Sequence, residues 1–108
     1  MDIVWKHKKE RQNGETAEQY ATELFEVIRR IANDRGLLKE FFEDILTPAE
    51  YKEIGKRWQI VKQLAAGRSQ RDVAKNLHTG IATVTRGSRE MLDKQGGFQK
   101  VLSKFRSK

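Results

Sequence analysis

The chain has no cysteine. That removes disulfides, thiolate metal sites and cysteine nucleophiles, and it favours a cytoplasmic setting. Only one proline is present, and strand-like alternation is scarce, so little interrupts helical periodicity. No apolar run approaches the ~18 residues that would suggest a membrane span. The first eleven residues are basic but hold no apolar stretch of the kind a secretory signal needs. Two histidines, His7 and His78, lack metal-ligand spacing. No glycine-rich phosphate loop occurs, and no carboxylate pair is set for acid–base work: Glu43 and Asp44 are adjacent and face different ways on a helix. An enzyme is not expected, and no metal is.

Charge is plentiful and unevenly placed. The 108 residues include 22 Lys and Arg against 15 Asp and Glu, a net of +7, and 37% of the chain is hydrophobic. Residues 1–54 hold 9 basic and 12 acidic side chains; residues 55–108 hold 13 basic and 3 acidic, a net of +10. A basic half-chain points to a polyanion, usually nucleic acid. The length fits one domain, and an apolar fraction this small would gain from sharing surface with a second copy.

The pattern reads as all-α. Residues 1–15 show no apolar face and are expected to form a mobile basic arm, ended by the turn signal Asn13-Gly14. Residues 16–108 form a single helical domain. Thr16 to Gln19 fits a capping box, and Tyr20, Leu24, Val27, Ile28 and Ile31 make one stripe. Asn33 to Gly36 ends that helix. Leu37, Leu38, Phe41, Phe42, Ile45 and Leu46 give a second helix whose apolar face is too wide for one neighbour, which suggests a partner subunit. Thr47-Pro48-Ala49-Glu50 starts a third helix, with Tyr51, Ile54, Trp58, Val61 and Leu64 as its apolar positions and Gly67 as its stop. Two further helices follow, Ser69 to Leu77 and Ile81 to Leu92. A last short one carries Phe98, Val101, Leu102 and Phe105.

Residues 69–92 carry most of the chemistry. Ser69 is a good N-cap, with Asp72 three residues on. Val73, Ala74 and Leu77 line one face, and Ile81 and Val84, with Met91 a further candidate, continue it after a tight turn. Small Ala74 permits a close helix crossing. This is the pattern of a helix-turn-helix, whose second helix enters the major groove of DNA. That helix offers Thr83, Thr85, Arg86, Ser88 and Arg89, side chains suited to phosphates and base edges. The turn has His78 where many such units have Gly for a left-handed backbone.

The run Gly80-Ile81-Ala82-Thr83-Val84-Thr85-Arg86-Gly87-Ser88 resembles the signature of the tryptophan repressor family. Ser69-Gln70-Arg71-Asp72 and Leu46-Thr47-Pro48 with Glu50 are similar to that family in order and near-expected spacing, and the likeness covers roughly residues 17–105. It implies a six-helix intertwined homodimer that binds L-tryptophan as corepressor and then double-stranded operator DNA. By that likeness Arg57 and Arg86 would sandwich the indole, with Arg86 also holding the carboxylate. Leu46, Thr47 and carbonyls near Asp44 would line the pocket, and Thr83 and Gly87 would lie against the ligand. Glu90 stands where the family's enteric member has a small hydroxyl residue near the ligand ammonium, and Asp44 replaces an apolar residue near the same group. On the DNA side, Ile81, Ala82 and Thr85 match base-facing positions, and Gln70, Arg71, Thr83 and Ser88 match phosphate contacts. The family's groove-facing lysine is Ala74 here, with Lys75 beside it, and Arg89 is an extra cation. Two other readings stay open on the residues alone: a helix-turn-helix protein with no small-molecule corepressor, and a basic helical adaptor that docks an acidic protein.

Overall fold

In a computed structural model, residues 14–106 are described, and the expected arm falls almost wholly outside them. Those residues form six α-helices, with no strand among them. The described residues divide into two compact units, one ending at Leu46 and the other beginning at Thr47.

The first unit holds α1 (Gly14–Ile31) and α2 (Arg35–Ile45), packed on each other. α1 begins two residues ahead of Thr16, which therefore sits in the first turn rather than at a cap. The second helix also starts earlier than its apolar pattern suggests. Asp34 caps it, accepting from the Leu37 N–H at 3.1 Å, so Arg35 and Gly36 open α2 instead of ending α1. A capping carboxylate satisfies an otherwise orphaned first-turn donor, and this outweighs the turn propensity of the Asp-Arg-Gly run. At the other end of α1, Glu26 bonds both Arg29 and Arg30. Large apolar side chains remain open: Tyr20 is 69% exposed and Phe25 61%, with Val27, Leu37 and Ile45 also exposed, and α2 has no fully buried residue. Of the apolar positions read for α2, Leu37 and Ile45 are thus left open among the described residues, while Leu38, Phe41, Phe42 and Leu46 are half-buried.

The second unit holds α3 (Pro48–Ala65), α4 (Gln70–Leu77), α5 (Ile81–Met91) and α6 (Gly97–Arg106). Thr47 and Glu50 complete a reciprocal capping box: the Glu50 N–H donates to Thr47 Oγ1 at 3.1 Å, and the Thr47 N–H donates to Glu50 Oε1 at 2.9 Å. Helices α3, α4 and α5 pack mutually around Ile60, Val73 and Val84, with Leu64, Ala74 and Leu77 against that centre. Val84 is fully buried, as a residue plugging the angle between two helices should be. Ile60, absent from the sequence-derived stripe, is the α3 member of this core; Ile54, included there, is exposed. Ile81 is 51% exposed and so lies outside the core. α6 returns to the unit through Gln99, whose Nε2 donates to the Met91 carbonyl at 2.7 Å, and through a tilted Trp58–Phe105 ring pair at 6.4 Å.

Candidate functional site

Residues 69–92 fold as the sequence predicts. Ser69 Oγ accepts from the Asp72 N–H at 3.0 Å and starts α4. His78 ends it in the left-handed region, φ 52 and ψ 51, where glycine is the usual occupant. The Thr79 N–H then closes back on the Ala74 carbonyl at 3.0 Å. Gly80 is the N-cap of α5 and supplies no side-chain acceptor, so the first-turn N–H groups of Ile81 and Ala82 are left for an outside acceptor. A helix N-terminus in that state suits a phosphate.

The exposed rim of this unit gathers most of the residues expected to meet DNA. Ile81, Ala82, Arg86 and Arg89 are exposed on α5, and Arg71 and Lys75 are exposed on α4. Thr83, Thr85, Ser88 and Gln70 are half-buried. Thr85 Oγ1 donates to Gln70 Oε1 at 2.7 Å, linking the start of α4 to the middle of α5. Ile81, read first as a possible packing residue, has its side chain free for a groove.

Behind α5 lies an open cleft of ≈ 190 Å³. α3 contributes Glu53, Arg57, Ile60 and Val61; α5 contributes Thr83, Arg86, Gly87 and Glu90; α6 contributes Phe98. Five of the residues expected to touch a ligand therefore meet here: Arg57, Thr83, Arg86, Gly87 and Glu90. Asp44 and Leu46 belong to the first unit, Thr47 is occupied in capping α3, and none of the three lines the cleft. Glu53, Ile60, Val61 and Phe98 were not anticipated. Glu53 lies one turn before Arg57, and that spacing was the available signal. Its Oε2 accepts from Arg57 Nε at 3.3 Å.

Gly87 has a second role besides facing the cleft. A Cβ built on it would stand 2.9 Å from Ile60 Cγ2. Ile60 is 2% exposed, and its branched Cβ restricts rotation. The missing side chain thus lets α3 and α5 approach closely enough to form one wall of the cleft.

An all-helical chain with a helix-turn-helix at its surface and a charged, apolar-floored cleft directly behind the second helix is, by class, a helix-turn-helix protein. More narrowly, it belongs to the Trp repressor protein family, whose sequence profile matches residues 19–106. It is 43% identical over 68 residues to a Trp operon repressor homolog of Mannheimia succiniciproducens, covering 62% of this chain and 66% of that one. A protein of the same description from Actinobacillus succinogenes is 45% identical over 60 residues, covering 55% of this chain and 59% of the relative. One from Vibrio vulnificus is 44% identical over 48 residues, covering 44% and 47%. The chain thus spans between about half and two thirds of the length of these curated relatives. The family is one of regulators, not enzymes.

Proposed function

We propose that the protein is a transcriptional repressor that works as a homodimer in the cytoplasm and binds a palindromic operator when L-tryptophan occupies the cleft. The observation that carries this reading is the position of the cleft: Arg57 on α3 and Arg86 on α5 both line a cavity whose far wall is the helix exposing Ile81 and Ala82. A ligand there touches the framework and the reading helix together.

The cleft suits such a ligand. At ≈ 190 Å³ it is smaller than the roughly 300–1,000 Å³ of clefts for drug-sized molecules, which favours something of single-amino-acid size. Ile60, Val61 and Phe98 offer apolar surface to an indole, and guanidinium groups stack well on aromatic faces. Asp44, Leu46 and Thr47 do not line this cleft, and in the proposed dimer they come to the ligand from the second copy. The open apolar side chains of α1 and α2 are the surface a second copy would cover.

A twofold pair of α5 helices must reach major grooves one turn apart, ~34 Å. A ligand wedged between α3 and α5 fixes the angle of α5, so it selects the operator-competent arrangement from those the free protein samples. Operator DNA must then tighten tryptophan binding by the same factor. Phosphate contacts from Arg71, Lys75 and the α5 N-terminus make affinity fall with salt.

The test is a mobility shift on a library of palindromic tryptophan-operator sequences, with and without L-tryptophan. A retarded complex that requires the amino acid is the expected result. Binding that ignores L-tryptophan removes the corepressor role, and no duplex binding at low salt removes the repressor reading altogether.

A further inference from the structure

The two arginines of the cleft are held differently. Arg57 on α3 is bonded to Glu53 one turn earlier, its Nε donating to Glu53 Oε2 at 3.3 Å, and both side chains line the cleft. Arg86 on α5 is exposed and makes no ion pair or side-chain hydrogen bond with another described residue. One guanidinium is therefore steered before anything enters, and the other is left to follow its guest.

The Glu53 bond adds little to the folding energy. The Glu53 side chain is 43% exposed and that of Arg57 59%, so water screens their attraction. The bond is also long for a charge-assisted pair, which usually closes to about 2.7–2.9 Å. What it sets is direction. A guanidinium donates in its own plane, so a carboxylate on Nε sits at the edge of the group. That single bond leaves both flat faces and both Nη groups unengaged by it. Without such a partner an arginine samples many rotamers, and ordering it when a ligand arrives costs affinity.

We propose that Glu53 is a positioning residue of the cleft: it holds the Arg57 guanidinium by its edge, so that a flat cationic face stands ready for the ring of an aromatic guest. Ile60, Val61 and Phe98 supply the apolar surface beside it. Glu53 acts through Arg57 rather than on the guest. This assignment rests on the corepressor reading above and adds to it a residue outside the helix-turn-helix.

Calorimetry with L-tryptophan on the wild type, Glu53→Ala and Glu53→Gln tests it, together with urea unfolding of each and NMR relaxation of the Arg57 Nε–H in the free proteins. Alanine and glutamine are both good helix formers, so both variants should fold, with unfolding midpoints close to that of the wild type. Glu53→Ala should weaken L-tryptophan binding about threefold, the low end of the cost of ordering one long side chain at binding, and should set the Arg57 Nε–H moving. Glu53→Gln keeps an acceptor oxygen for that N–H and should recover most of both. Unchanged L-tryptophan affinity in Glu53→Ala, a Glu53→Gln that does no better than Glu53→Ala, or an Nε–H equally mobile in the wild type and in Glu53→Ala overturns the positioning role and leaves the corepressor reading standing. No wild-type binding of L-tryptophan overturns both.

Discussion

Thr85 on the reading helix donates its hydroxyl hydrogen to Gln70 at the start of α4, at 2.7 Å. Both positions were expected to meet DNA, and in the free protein they hold each other. The bond orients Thr85 before any groove arrives, and it leaves the Gln70 amide nitrogen as a donor toward a phosphate. Gln70→Ala should cost about 1 kcal/mol of stability, the usual worth of one such hydrogen bond, and should also weaken DNA binding. Urea unfolding and a binding titration on the same variant check the two effects.

Gly87→Ala forces a methyl group to 2.9 Å from Ile60 Cγ2. Overpacking of this kind costs roughly 1–3 kcal/mol. If the clash is with Ile60, then Ile60→Ala should make the second change cheaper than it is alone. A double-mutant cycle by denaturant unfolding measures this, and strictly additive effects would show that the strain lies elsewhere.

His78 holds φ 52. A left-handed backbone costs a side-chain-bearing residue about 1–2 kcal/mol, part of which glycine gives back as lost entropy in the unfolded chain. His78→Gly should therefore raise stability by roughly 0.5–1 kcal/mol, seen as a melting temperature a few degrees higher. A lower melting temperature would mean that the His78 side chain makes a stabilising contact.

Glu26 is pulled down from 4.5 to about 2, first by its hydrogen bond to Arg29 and then by that to Arg30. A carboxyl depressed on folding stabilises the folded state while ionised. Its contribution is complete above about pH 5 and is lost as pH falls from 4.5 toward 2. Glu26→Gln should be less stable than the wild type at pH 7, and the gap should close in that acid window. A gap that stays constant down to pH 2 would contradict the pairing.

How much the sequence disclosed differs between the two units. Thr47, Pro48 and Glu50 announce α3 because capping is a contract among near neighbours. Ser69, Asp72 and the turn at His78 do the same for α4. The start of α2 was misjudged because Asp34 can close one helix or open the next, and the string of residues does not say which N–H it will meet. Ile60 was missed because α3 packs against both α4 and α5, and where they converge on it is set by tertiary packing rather than by a single apolar stripe.

Local order was settled by the amino-acid string itself: six helical segments, a helix-turn-helix at 69–92 and a basic second half. These follow from periodicity, caps and charge, which act over a few residues. Only the packed structure decided that Arg57 and Arg86 border one cleft, that Gly87 makes room for Ile60, and that Ile81 faces outward while Val84 is enclosed. Those facts depend on the angles at which α3, α5 and α6 meet. The angles are set by close packing among side chains far apart in the chain, which no local rule contains.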